Sequence, residues 1–131
     1  MGSEMCIRDR VRDEVARAYA RCEIMRFLGL RILTGVLQDG VLGPESSISK
    51  LYWSEYHQFV TSLALKILGP DALTVEGRGP LRSWRADDPG APNTSGSWLG
   101  AFWNATAGTI YAGASQIQKN ILAESVLGLP R

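Results

Sequence analysis

VRDEVARAYARCEIMRFLGLRILTGVLQDG, residues 11–40, carries a helical repeat along its whole length. Val11, Val15, Ala18, Cys22, Met25, Gly29, Ile32 and Val36 follow one another at alternating spacings of four and three. That repeat lays side chains along one face of an α-helix. Tyr19, Leu28 and Leu33 widen the stripe, while Arg12, Arg17, Arg21 and Arg26 read as a solvated face. Gly40 and Gly43-Pro44 supply the stop. At 1.5 Å per residue the helix is about 40 Å long, which suits a member of a bundle.

Downstream, Pro44-Glu45-Ser46-Ser47 has the composition of a first helical turn, with proline and an acid at the start and serines able to accept from backbone donors. Ile48, Leu51, Tyr52, Phe59, Leu63 and Ile67 then repeat at helical spacing to Leu68, where Gly69-Pro70 ends the second helix. Residues 69–96 collect glycine, proline, serine, asparagine and aspartate without an apolar period, and read as a long loop. A short apolar segment, Trp98 to Trp103, precedes a glycine-marked turn from Gly108 to Gly113. Ser115 is the expected cap of a last helix with Ile117, Ile121, Leu122 and Val126 as its buried stripe and Gly128 with Pro130 as its stop. The expected fold is all-α, an incomplete up-and-down four-helix bundle. Two long helices and two short ones cannot cover all their apolar stripes, so a partner surface is implied.

Upstream, residues 1–10 are expected to be foreign to the fold, because Met5 to Arg10 resembles the translation of a sequencing-adapter read-through. The domain is then 11–131, and the gene is expected to continue upstream of Met1. Fourteen basic residues against thirteen acidic leave a net charge of +1, which provides no field to gather nucleic acid. The longest apolar stretch, Phe59 to Leu68, is interrupted by Thr61, Ser62 and Lys66, and is short of the roughly 20 residues of a membrane span. Cys6 and Cys22 with one histidine assemble neither a disulfide framework nor a zinc site, and a reducing, cytoplasmic location is expected.

Few side chains suggest chemistry on their own. His57 has only Glu55, two positions earlier and on another side of the helix, as a nearby acid and reads as structural. Gly77-Arg78-Gly79-Pro80 lacks the strand and lysine of a phosphate loop and reads as a turn. Trp53, Trp84, Trp98 and Trp103 could stack on a cofactor, although core or interface packing is the commoner use of such residues.

The segment AGTIYAGASQIQKNILAESVLGLPR, Ala107 to Arg131, resembles the closing motif of acyl-CoA dehydrogenases. That motif runs through a glycine turn, a Thr/Ser-rich cap, Glu/Gln-Ile-Gln, Lys/Arg-Asn-Ile and a final Leu-Gly-Leu-Pro. GPESSISKLYWSEYHQ, Gly43 to Gln58, is similar to the second long helix of one bacterial branch of the family. Lys66-Ile67-Leu68-Gly69-Pro70 lies where the family has a Gln-Ile-Phe-Gly-Gly type segment, with Lys for Gln and Pro for Gly.

The resemblance implies FAD as cofactor, acyl-CoA as substrate, electron-transfer flavoprotein as electron acceptor, and an oligomer, homomeric or heteromeric, working in fatty acid metabolism. It assigns Ala112 and Gly113 to the acyl thioester, and Ala114, Ser115 and Gln116 to the cofactor. Lys66, Ile67, Leu68, Gly69 and Pro70 would reach the FAD of a neighbouring subunit. A helix start at 114–116 offers backbone N–H groups to flavin-dinucleotide oxygens, and Gly113 lets the backbone approach a ligand. In many members the glutamate that removes the α-proton stands just before the glycine of this turn. Here that position is Ala112, so no catalytic residue is assigned; Glu124, about 15 Å further along the helix, reads as a surface charge. The base would come from an earlier helix, or the chain is the non-catalytic half of a mixed oligomer. Two other readings stay open: a helical assembly module kept for its interface, and a flavin oxidase or monooxygenase of similar fold.

Overall fold

A computed structural model describes residues 2–43, 46–74 and 95–130. Pro44 and Glu45, the greater part of the expected loop, Gly77 to Pro80 and Trp84 lie outside the described residues. Four α-helices, α1 (Gly2–Asp39), α2 (Ser46–Leu68), α3 (Ser95–Ala107) and α4 (Ser115–Ile121), make the described part of the chain all-α, with no strand. Helix α1 starts at Gly2 and not at Val11: no proline or further glycine interrupts residues 3–10, and a helix once nucleated propagates through such a run. Its end at Gly40 takes the left-handed conformation, φ +74°, with the Gly40 N–H donated to the Val36 carbonyl at 2.9 Å.

Helix α2 is the hub, since α1, α3 and α4 all pack on it. Lys66 near its end reaches Glu14 early in α1, and Arg21 lies over the rings of Tyr52 and Phe59 at 5.5 and 5.1 Å, so α1 and α2 run antiparallel. Helix α3 runs antiparallel to α2 as well. Gln58 donates to the Thr109 hydroxyl beyond the end of α3, and Thr61 lies beside Ala101 nearer its start. The up-and-down order expected from the sequence therefore holds for the first three helices.

The α2–α3 seam is built from small residues. Ser54, Thr61, Ala101 and Ala105 are all buried, with Ala105 at 0% exposure. The two hydroxyls satisfy themselves within their own helix, Ser54 Oγ donating to the Leu51 carbonyl at 3.0 Å and Thr61 Oγ1 to the His57 carbonyl at 2.7 Å. Small side chains let the two backbones close up: a Cβ on Gly108, just beyond α3, would stand 3.7 Å from Ser54 Cβ.

The α1 contact face departs from expectation. Val11, Ala18, Met25 and Ile32 are half-buried as read, but Glu14, Arg21 and Leu28 stand in for Val15, Cys22 and Gly29, which are exposed. Arg21 thus belongs to the packed face and not to the solvated one. The reason is that α1 carries apolar residues on more than one side. Tyr19 is 71% exposed and Leu33 53%, and Leu30 and Leu37 are exposed with them. Leu63 with three alanines makes up the fully buried apolar set among the described residues. That core is small against the conformational entropy of ordering the helices.

Helix α2 ends at Leu68 as expected, and Gly69 and Pro70 open a 3₁₀ turn, Gly69–Leu73, within what the sequence reads as loop. The last helix departs from expectation. In the last helix Ala114, not Ser115, is the cap residue, and no side chain caps it. Ile117, Ile121 and Val126 are exposed, while Gln118 is the residue buried against the rest of the chain. Beyond Ile121 the helix widens into a π-helical turn, Leu122–Val126, and Gly128 at φ +66° follows it. Among the described residues no helix is long and apolar enough to cross a membrane.

Candidate functional site

The turn between α3 and α4 is held by bonds from both sides. Backbone bonds lead into it, from Ile110 N and Tyr111 N to the Ala107 carbonyl at 2.9 and 3.0 Å. Ser115 N closes it by donating to the Thr109 carbonyl at 3.1 Å. At its apex two consecutive residues take positive φ, Ala112 at 54° and Gly113 at 91°. For alanine that conformation costs about 1–2 kcal/mol, so its surroundings must hold it there. The carboxamide of Gln118 does so, donating from Nε2 to the Ala112 carbonyl at 3.2 Å.

Gly113 is needed for two reasons. Its φ is one that L side chains rarely adopt, and a Cβ there would meet Gln118 Nε2 at 2.5 Å. The next carbonyl is also gripped, because Lys50 Nζ donates to the Gly113 oxygen at 2.6 Å. Gln58 adds a third tie, donating to Thr109 Oγ1 at 3.2 Å. Ala114, with φ −56° and ψ 155°, then turns the chain into α4.

The profile of the acyl-CoA dehydrogenase C-terminal domain matches residues 2–127. The chain belongs to the acyl-CoA dehydrogenase family. Among its relatives is the acyl-CoA dehydrogenase IpdE1 of Mycobacterium tuberculosis, 31% identical over 123 residues. IpdE1 of Mycolicibacterium smegmatis is 30% identical over 121 residues. The match covers 92% of this chain but only 27% and 26% of those two proteins, so the chain spans about a quarter of their length. No solved structure matches it.

The residues that the acyl-CoA dehydrogenase motif singles out fall into two separate groups. Ala112, Gly113, Ala114, Ser115 and Gln116 form one continuous turn and helix start, with Ala112 and Gln116 exposed and the three between them half-buried. Lys66, Ile67, Leu68, Gly69 and Pro70 sit at the other end of α2. The 16 residues from Lys50 to Lys66 span about 24 Å at 1.5 Å each, so the two groups do not converge. Lys66 pairs with Glu14 at 3.3 Å on the surface, a contact worth at most about 1 kcal/mol. Gly69, at φ +59°, has open space where a Cβ would be.

His57 lies apart from the turn. Its ring stacks on Trp53 with centroids 5.4 Å apart, and burial pushes its pKa below the ordinary imidazole value. Its buried Nδ1 has no hydrogen-bond partner among the described residues, beside a small cavity of about 170 Å³ lined by Val60, Thr61, Trp98 and Ala101. Trp103 is exposed, as a core residue would not be.

Sequence reasoning missed Lys50 and Gln118 as site residues. Gln118 was legible only as a letter of the closing motif. Lys50 had one usable signal: it lies at the spacing of Ser54 and Thr61, the face of α2 that packs on α3, where a lysine without a purpose is costly.

Proposed function

We propose that this chain is the C-terminal helical part of an FAD-dependent acyl-CoA dehydrogenase, acting only within the whole protein. The observation that carries the reading is the tied turn, in which Ala112 and Gly113 are held at positive φ directly before α4 in a chain of this family. Ala112 and Gly113 would face the acyl thioester, and Ala114, Ser115 and Gln116 the flavin. Lys66 to Pro70 would meet the flavin of a neighbouring subunit. The residues fit such a role: both segments have exposed members, and the open space at Gly69 leaves its backbone approachable.

When bound, FAD supplies the acceptor for the β-hydrogen, which leaves as hydride while a base takes the α-proton. Ala112 cannot be that base, having no group to accept a proton. Glu124 is in the π-helical turn beyond α4, about 15 Å along the axis from the apex. The base therefore belongs to another part of the protein. The exposed apolar residues of α1, Tyr19, Leu30, Leu33 and Leu37, are the surface through which the chain would assemble with that part or with other subunits. Electrons would pass on to electron-transfer flavoprotein, and the protein would work in the cytoplasm.

A second reading rests on Ala112 alone: the chain would be the non-catalytic partner in a mixed oligomer. The test is to purify the whole protein that carries this segment and titrate it anaerobically with acyl-CoA. Loss of the oxidised-flavin absorbance supports the first reading. A flavin-free protein that restores acyl-CoA oxidation to a catalytic subunit supports the second, and a protein that does neither ends both.

A further inference from the structure

We propose that Lys50 is a positioning residue for the closing turn, fixing through the Gly113 carbonyl the backbone that faces the substrate; the substrate's identity rests on the reading above, but the clamp does not. The bond is short, 2.6 Å, half-buried, and joins residues 63 positions apart. Hydrogen bonds from charged donors are stronger than those from neutral ones. Lys50 has no carboxylate partner among the described residues, so the carbonyl is what its ammonium serves.

The turn needs this support. Two successive carbonyls, of Ala112 and Gly113, belong to residues at positive φ, and each is held by a different element, Gln118 from α4 and Lys50 from α2. Removing one tie leaves the apex anchored on one side only. Because α2 also ends in the 66–70 segment, the clamp gives the two proposed ligand-facing segments one rigid helix in common.

The experiment is residue-resolved amide hydrogen exchange on the full chain, unsubstituted and as Lys50→Met and Lys50→Arg. Met keeps the apolar stem and loses the donor, whereas Arg can still reach the same carbonyl. We expect exchange at Ile110 to Ser115 to quicken about tenfold or more in Lys50→Met, with Ala105 in the α2–α3 seam unchanged, and Lys50→Arg to restore most of the protection. An unchanged turn, equal quickening at Ala105, or an Arg variant that behaves like Met would each overturn the clamp. Should Lys50→Met fail to fold, the unsubstituted chain still decides. The Lys50 ammonium protons should exchange with water about tenfold more slowly than those of exposed Lys119, and equal rates would overturn the proposal. A confirmed clamp in a protein that ignores acyl-CoA would sink the functional reading and leave the clamp standing.

Discussion

The two faces of α2 solve the same problem in opposite ways. Against α3 it presents Ser54 and Thr61 to Ala101, Ala105 and Gly108, and the contact is closed tightly enough to bury all of them. Against α1 it presents Tyr52 and Phe59 to a helix that has no fully buried residue among those described, so the contact is wide and shallow. Close backbone approach leaves no room for larger side chains, and it fixes where α3 ends and the Gly108–Ala114 turn begins. The α1 contact fixes little beyond direction, and leaves most of that helix's apolar surface open. In this molecule the seam positions the candidate site, and α1 leaves Tyr19, Leu30, Leu33 and Leu37 exposed.

If that contrast is right, substitutions of similar size should have very different costs on the two sides. Ala105→Leu adds three carbons where none can be accommodated, and should destabilise the chain by about 3 kcal/mol, read as the urea midpoint. Leu33→Ala on the open side of α1 should cost under about 0.5 kcal/mol. Comparable losses would break the comparison. The turn hanging from the seam should come next: Gly113→Ala demands a left-handed alanine and displaces the Gln118 amide, for about 2 kcal/mol. A Gln118→Ala, Gly113→Ala double variant should lose less than the sum of the two single losses, because Gln118→Ala removes the clash together with the tie to Ala112.

On the α1 side, Arg21 lays its guanidinium over two rings of α2. Arg21→Ala should cost about 1 kcal/mol, and Arg21→Lys somewhat less, by thermal melting. A larger loss would mean that α1 is held more firmly than its exposure suggests.

The same contrast explains what the sequence made legible. Helices α1 and α2 could be read because a four-three repeat and Gly/Pro stops are local signals. The face of α1 that is covered could not, since Val15 and Leu28 look alike to a periodicity count and only the position of α2 chooses between them. Gly113 announced itself as a glycine; Ala112 in a left-handed conformation did not, because an alanine carries no mark of it. Ser115 looked like a cap, but its N–H goes to Thr109, and that backbone bond leaves the cap geometry to Ala114. Ile117 and Ile121 looked buried because the repeat assumes every apolar stripe is met within the chain, whereas Gln118 turns α4 the other way to reach Ala112. The closing motif picks out the candidate turn by order of residues, but the ties that shape it run over 63 positions and six, and no local signal reports the longer one.

The smallest predicted effect places the contrast on a pH axis. His57 lies on the seam side, beside Thr61, Trp98 and Ala101, and its pKa is lowered by burial. The unfolded chain keeps an ordinary imidazole, near 6.5, and so takes up the proton more readily than the folded one. The sign follows from linkage: stability is unaffected by this group well above pH 6.5, falls as the pH drops through that region, and levels off once both states are protonated. His57→Phe keeps a ring against Trp53 and removes the titration, so the fall should flatten in that variant. Because the cause is burial at the seam, Arg21→Ala, which loosens α1, should leave the slope as it was. A slope that persists in His57→Phe would show that the acid sensitivity belongs to other groups, and one that disappears with Arg21→Ala would show that the two faces of α2 are not independent.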